Sequence, residues 1–429
     1  MSAAQFILHN REEDQTLTLA EYRQKGGYQG LQKALRAYSP DETKKIVLDA
    51  GLRGQGGAGF PTGRKWGFLG DNAPRPRYIV ANTDEMEPGT FKDRVLLSIN
   101  PHAVIEGMAI AAYANSAQKG YFFVRPSYQH IALKFERALE EARRSGLLGP
   151  NILGTDFSFD VIVHRSAGRY ICGEAKGLMH ALEGKRPHPN IEGHLTSAGL
   201  WGQPTVVNNA ETLAHVPHIL RNGAEWFRGL GRHEGAPGIK IYSISGRVNR
   251  PRALELPFGT PLGEIIEEHG GGMAAGYEYK ACLPGGASTR YLPPKYLSVP
   301  MDFDSVEQIG PGFRLGTGAI VVFDRRTCLV AATLSLMHFF VRESCGWCTP
   351  CREGLSYIED LLGRIEKGEG REEFIPLLRE MCGHMPKSYC AFAPGAVAPV
   401  IGLLEDFVDE VHEHISRQGC PFDHRSGNK

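Results

Sequence analysis

The chain has little that would take it into a membrane or onto a nucleic acid. Its longest apolar stretch, Cys328 to Val341, is about 14 residues and is interrupted by Thr333, Ser335 and His338, where a spanning helix needs roughly 20. Neither sign of charge is in excess: Lys and Arg total 48 and Asp and Glu total 48, so no global field favours nucleic acid or an anionic surface. The opening residues Met-Ser-Ala-Ala-Gln-Phe-Ile-Leu-His-Asn lack the basic start and long apolar core of a secretory signal. The composition of a disordered chain is missing too, since 42% hydrophobic and 22% charged residues over 429 positions are those of a globular protein of two to four domains. What is plentiful is glycine, 52 residues, with 27 prolines, which implies many tight turns and ligand sites lined by backbone.

The order of textures predicts three parts. Residues 41 to 236 alternate short apolar runs (Arg77 to Ala81, Gly120 to Val124, Phe159 to Val163) with helical stretches such as Ile131 to Ser145, the βαβ rhythm of a sheet covered by helices. At Gly235-Ala-Pro-Gly238 a strand-rich segment begins, with one short helix at Leu262 to His269 and turn signals at Pro284-Gly-Gly286. From Cys328 the period is helical. Leu355, Ile358, Leu361, Leu362 and Ile365 form one stripe, Phe374, Leu377, Leu378 and Met381 a second, and Val400, Leu403, Leu404, Phe407 and Val411 a third. These stripes read as core. The expected architecture is α/β, with domains at 1–236, 237–326 and 327–429.

Nine cysteines are present, and four are patterned: Cys345, Cys348 and Cys351 in Glu-Ser-Cys-Gly-Trp-Cys-Thr-Pro-Cys-Arg-Glu-Gly, then Cys390 after 38 further residues. Cubane irons need soft thiolates, and a CxxCxxC loop wraps three corners while a distant cysteine closes the cage. Zinc would more naturally show two separated CxxC pairs, and disulfides fit poorly with thiols two residues apart in a chain with no leader. Zinc or redox thiols stay as the alternative. Cys382 competes with Cys390 for the fourth position. Cys172, Cys282, Cys328, Cys382 and Cys420 stand singly and read as small buried hydrophobes.

Three loops suggest what feeds such a cluster. Gly51-Leu-Arg-Gly-Gln-Gly-Gly-Ala-Gly-Phe-Pro-Thr-Gly-Arg-Lys-Trp66 lets backbone N–H groups approach an anion, with Lys65 as a point charge for a phosphate, although it is not GxGxxG. Ala81-Asn-Thr-Asp-Glu-Met-Glu-Pro-Gly-Thr-Phe-Lys-Asp-Arg94 puts Asn82, Asp84, Glu85 and Glu87 just past a strand end, where open α/β sheets bind ligands. Gly168-Arg-Tyr-Ile-Cys-Gly-Glu174 repeats the theme. A flexible loop and a solvated acidic turn are the plainer readings of the first two. Together with the cysteines, the three loops point to a flavin that hands electrons to a cluster.

Over nearly its whole length the chain resembles the flavoprotein, NADH-binding subunit of respiratory complex I, NADH:quinone oxidoreductase. That family has homologues in NAD-linked hydrogenases and formate dehydrogenases. The shared runs are Gly-Gly-Ala-Gly-Phe-Pro-Thr-Gly, Glu-Pro-Gly-Thr-Phe-Lys-Asp-Arg, Tyr-Ile-Cys-Gly-Glu, Gly-Gln-Pro-Thr-Val-Val-Asn-Asn, Glu-Ser-Cys-Gly-Trp-Cys-Thr-Pro-Cys-Arg and Ala-Pro-Gly-Ala-Val. The resemblance implies a Rossmann-like FMN domain, a ubiquitin-like β-grasp domain and a helical bundle holding one [4Fe–4S] cluster. It implies FMN on Gly54, Gly57, Lys65, Asn82, Asp84, Glu85, Tyr170, Gly173, Glu174, Asn208, Asn209 and Thr212, and NADH or NADPH stacked beside Phe60, Phe68 and Glu87, with Glu87 over the reacting face. It also implies a thioredoxin-like [2Fe–2S] protein and a large multi-cluster iron–sulfur protein as partners. The location implied is cytoplasmic, at the inner face of the cell membrane and touching it only through the complex.

Four departures from the family cluster near the nucleotide: Gln55 for the usual Arg, Ala175-Lys176 for Glu-Thr, Ile191-Glu-Gly-His-Leu-Thr-Ser-Ala198 for a proline-rich segment with an adenine-packing Phe, and Pro126-Ser127-Tyr128 for Gly-Glu-Tyr. A carboxylate near the adenosine ribose repels a 2′-phosphate, so Ala175 with Lys176 implies relaxed exclusion of NADPH. The competing expectations are a decayed nucleotide pocket with a protein donor such as ferredoxin, a relay component with no substrate of its own, and the diaphorase half of a hydrogenase or formate dehydrogenase. The chain starts about 50 residues before the glycine loop and ends soon after the helical bundle, which leaves no room for the fused domains of those relatives and favours a separate polypeptide within a complex.

Overall fold

The computed structural model describes residues 6–9, 11–12, 14–70, 72–189 and 194–422. Ile191, Glu192 and Gly193 of the departing segment therefore lie outside the described residues. The chain forms two compact units. The first holds residues up to Met86, Phe91–Tyr242 and Ala253–Gly259, and the second holds Glu87–Thr90, Ser243–Arg252 and the rest from Thr260.

A four-stranded parallel sheet centres the first unit: β1 (Tyr78–Thr83), β2 (Lys119–Val124), β3 (Asp160–Arg165) and β4 (Thr205–Asn209), in the order β3-β2-β1-β4. All three pairings are parallel, with Val80 opposite both Tyr121 and Val207. The reversal of strand order falls at β1, so a crevice opens beyond the carboxyl ends of β1 and β4, where ligands bind in such sheets. In β1, Ile79, Val80 and Ala81 are buried in succession, as expected of a strand covered on both faces.

The helix Pro101–Ala114 lies deepest, with proline at its first position and Asn100 accepting from Ala103 N as the cap. Small residues let it press against the helix Ala210–Asn222: a Cβ on Gly107 would stand 2.0 Å from the Leu213 carbonyl oxygen. Its buried Glu106 accepts from Tyr28 N, Leu31 N and the Tyr22 hydroxyl, fastening the N-terminal helices to the core. Burial holds that carboxyl above its ordinary range.

β5 (Ile239–Gly246) begins in the first unit, as does most of β6 (Arg252–Pro257). In the second unit Ser243–Gly246 of β5 runs parallel to β8 (Ala319–Asp324), which pairs antiparallel with β7 (Tyr279–Leu283). The expected helix at Leu262–His269 is one turn, Leu262–Glu264, that widens into a π-turn over Ile265–His269. Helices Leu329–Glu343, Leu355–Glu366, Phe374–His384, Phe392–Asp406 and Val408–Arg417 follow.

The fold corrects the third apolar stripe. It belongs to two helices rather than one, because Phe407 leaves helical dihedrals (φ −139°, ψ 26°) and starts a new axis. Among the described residues no single helix is long and apolar enough to cross a membrane.

Candidate active site

A cavity of about 660 Å³ opens at the carboxyl end of β1 and β4. Gly54, Phe60, Lys65, Phe68, Asn82, Gly173, Glu174, Asn208, Asn209 and Thr212, all expected from the sequence, line it. Gly57, Asp84, Glu85 and Tyr170 do not, although each adjoins or lies close in sequence to a residue that does. Val206, Val207, Gly56, Ala58 and Gly59 also line it, and sequence reasoning missed them as individuals, although each lies inside one of the glycine or asparagine runs.

The glycine loop closes on itself: Gly54 N donates to Phe60 O at 2.8 Å and Thr62 N to Leu52 O at 2.8 Å, while Gly57 (φ 122°) and Gly59 (φ 62°) take left-handed conformations that a side chain would resist. Gln55 N donates to Thr212 Oγ1 at 2.8 Å, which ties the loop to the helix after β4. The Lys65 ammonium is largely buried, donates to Val207 O at 3.1 Å, and has its pKa lowered by that burial. A desolvated cation beside glycine N–H groups is suited to a phosphate.

Gln55 does not face the nucleotide space, contrary to the expectation that it helps choose the donor. It is 2% exposed, and its Oε1 accepts from Lys240 Nζ at 2.8 Å. Lys240 also stands 3.8 Å from the Glu211 carboxylate, which pairs at 2.8 Å with Lys92, itself bonded to Asp93 at 2.7 Å. Two buried cations thus offset two buried anions, and Lys240 is pushed down to about 8, chiefly by burial.

Asn82 donates to Gly173 O at 2.9 Å, joining the second loop to the third. Asn208 Oδ1 accepts from Trp66 Nε1 at 2.9 Å, while Asn208 Nδ2 is buried against the cavity with no protein acceptor. A buried donor left in this way calls for a ligand acceptor, and the carbonyls of an isoalloxazine would supply one. Glu85 accepts from Asp93 N, Arg94 N and the Tyr128 hydroxyl, and is pushed up to about 7, first by burial and then by the Asp93 charge. Asp84 accepts from Ser166 Oγ at 2.8 Å. Tyr170 sits in the turn Tyr170–Gly173 just before Glu174, which caps the helix Ala175–Leu182 by accepting from Lys176 N and Gly177 N.

At the mouth, Phe60 and Phe68 stand 5.9 Å apart and tilted by 42°; they are 37% and 56% exposed, an aromatic platform open to solvent. Of the departing residues, Ala175, Lys176, His194, Leu195 and Thr196 line the cavity. Glu87 belongs to the second unit, where its Oε1 accepts from Ser288 N at 2.7 Å.

Cys345, Cys348 and Cys351 lie in the turn between the helices Leu329–Glu343 and Leu355–Glu366. Burial, then the facing thiols of Cys348, Cys390 and Cys345, push Cys351 up to about 12. Cys382 is pushed up to about 12 by burial alone. The four patterned thiols therefore gather and Cys382 stands apart, which fits a cube held at four corners.

Three family models match in sequence order: the Nuo51 FMN-binding domain over residues 47–218, the SLBB domain over 241–291 and the NADH-ubiquinone oxidoreductase-F iron-sulfur binding region over 331–414. The F subunit of NADH-quinone oxidoreductase from Salmonella typhimurium is 46% identical over 411 residues, 95% of this chain and 92% of that one. The F 2 subunit of NADH-quinone oxidoreductase from Rhizobium meliloti is 44% identical over 418 residues, 97% and 99% of the two chains. A chain of an NAD+-reducing [NiFe]-hydrogenase in the air-oxidized state superposes with a TM-score of 0.81 at 33% identity, covering 96% of this chain and 68% of its own. With the cavity, the thiol set and these likenesses in one polypeptide, the chain belongs to the family of NADH-quinone oxidoreductase F subunits, the electron-input proteins that carry FMN and a [4Fe–4S] cluster.

Proposed function

We propose that Gly54, Gly57, Lys65, Asn82, Asp84, Glu85, Tyr170, Gly173, Glu174, Asn208, Asn209 and Thr212 form the FMN site, directly or as the wall behind it. Phe60 and Phe68 stack the nicotinamide nucleotide, Glu87 positions it, and Cys345, Cys348, Cys351 and Cys390 hold the cluster. Held there, FMN would supply the exchange between a two-electron hydride and the single electrons that a [4Fe–4S] cluster can take. The chain's own contribution is placement. Lys65 and the glycine N–H groups orient the phosphate, Asn208 Nδ2 meets a ring acceptor, and the aromatic pair shields one face from water. What carries this reading is the orphaned Asn208 amide on a residue that lines a cavity bounded by the glycine loop.

The family models support the division at 1–236, 237–326 and 327–429, since each falls within one part. By analogy with the relatives named as subunits, the partners are a thioredoxin-like [2Fe–2S] protein and a multi-cluster iron–sulfur protein, with membrane contact only through that assembly on its cytoplasmic side. The nucleotide is NADH, with NADPH weakly excluded, because Lys176 and His194 line the cavity where an additional acid would repel a 2′-phosphate. The test is kcat/KM for both nucleotides with an artificial acceptor. A ratio below about a thousandfold agrees with weak exclusion, a larger NADH preference contradicts it, and no turnover of either points instead to a protein donor such as ferredoxin.

A further inference from the structure

Within the helical region of the second unit, apart from the four cluster cysteines, four potential metal ligands converge. The ligand atoms of Cys328, Glu366, His414 and Cys420 all lie within 4.8 Å of one another. Cys328 Sγ stands 3.3 Å from His414 Nε2 and 3.7 Å from Glu366 Oε2, and His414 Nε2 is 3.2 Å from the same carboxylate oxygen. In the sequence Cys328 and Cys420 read as isolated small hydrophobes, and Cys328 is buried as expected; their approach to His414 leaves no mark there, because 86 residues separate Cys328 from His414 and no spacing motif links them.

The surroundings are those of a metal ligand set. His414 is fully buried, and its Nδ1 donates to the Glu410 carbonyl at 2.6 Å. A carbonyl only accepts, so that bond places the proton on Nδ1 and turns the Nε2 lone pair toward the two sulfurs and the carboxylate, the outer-shell arrangement typical of ligating histidines. Cys328 caps the helix Leu329–Glu343, its Sγ accepting from Ala331 N at 3.2 Å, a bond that offsets only in part the burial that holds the free thiol well above its ordinary range. Glu410 is fixed in turn by Leu329 N and Lys280, and Phe422 lies beside His414 at 6.3 Å. Without a cation the Glu366 carboxylate takes the Cys328 S–H at 3.7 Å, and a neutral His414 ring keeps its Nε2 lone pair beside that oxygen.

We propose that Cys328, Cys420, His414 and Glu366 bind one structural zinc ion, the two thiolates, the imidazole Nε2 and the carboxylate filling a closed tetrahedral shell. On binding, each thiol releases its proton to solvent and no electron moves. Cys328 begins the helix that leads into Cys345, and Glu366 ends the helix that follows Cys351, so the ion ties together the distal ends of the two helices whose near ends frame the cluster loop. A 15-residue helix spans roughly 22 Å, which separates the ion from the cluster loop by about that length. Its effect is to pin the end of the last helix and the turn after it to that pair.

Metal analysis of the full chain, purified anaerobically with its flavin and cluster, tests the assignment. About one zinc per chain is expected beside about four irons, with a zinc-edge absorption shell of two sulfurs near about 2.3 Å and nitrogen or oxygen near about 2.0 Å. His414→Ala and Cys420→Ser should each lower zinc content on the order of tenfold while iron and flavin stay at wild-type levels. The wild-type absorption shell carries the test even if those variants fail to fold. Wild-type protein without zinc, a shell of four sulfurs (zinc in the cluster cysteines), a Cys328–Cys420 disulfide, or zinc kept in full by both variants would overturn it.

Discussion

Cys382 and Cys390 are eight residues apart, and only their company separates them. Cys351 faces three thiols, Cys390 among them, whereas Cys382 lies within a helix with burial alone acting on it. Cys382→Ser should therefore keep full iron content and the reduced-cluster paramagnetic signal, while Cys390→Ser should lose or alter both; equal loss in the two variants would contradict the assignment. Spacing could nominate both residues but not choose between them, because the choice depends on which thiol the chain turns back toward the loop. Gln55 shows the converse. Its place in the glycine loop suggests contact with the nucleotide, yet the buried pair of Glu211 and Lys92 needs Lys240, and Lys240 takes the Gln55 amide. Long-range charge balance of that kind leaves no local mark.

At the scale of elements, the parallel sheet and its site were readable because buried strands are short apolar runs and ligand loops are rich in glycine. The break at Phe407 was not readable, since an apolar stripe of period 3.6 continues across it. Close helix packing is also invisible in a sequence until a partner is known. Gly107 is the clearest instance: a methyl group there meets the Leu213 backbone, which cannot step aside as a side chain can. Gly107→Ala is expected to destabilise the chain by about 1–3 kcal/mol, seen as a lower denaturant midpoint at unchanged slope. A midpoint equal to wild type would show that the two helices can part without loss.

Across the whole molecule, the N-terminal segment returns to a strand some 250 residues away. Buried Glu255 accepts from Phe6 N at 2.7 Å, Ile7 N at 2.9 Å and Leu8 N at 2.7 Å. Burial pushes this carboxyl up to about 7 from an ordinary 4.5. The folded chain thus holds the proton more tightly than the unfolded one, so the contribution is complete below about pH 4.5 and is lost as pH rises through about 7. The stability of wild type relative to Glu255→Gln should decline over that interval and level off above it, as denaturant melts at several pH values would show; a rising difference would contradict the sign. The α/β class and the two cofactors, FMN and a [4Fe–4S] cluster, were legible in local motifs, but this anchor and the Cys328, His414 and Cys420 grouping were not, because they exist only once distant segments meet.

As an F subunit, one chain takes a hydride from a nucleotide and passes electrons singly to its own cluster. Anaerobic titration of the purified chain with NADH, followed by flavin absorbance and low-temperature paramagnetic resonance, tests it most directly. The account predicts flavin bleaching together with the appearance of a reduced [4Fe–4S] signal that Cys390→Ser removes. A flavin that stays oxidised with excess NADH and NADPH, or bleaches while the wild-type cluster stays silent under mediated reduction as well, would contradict it.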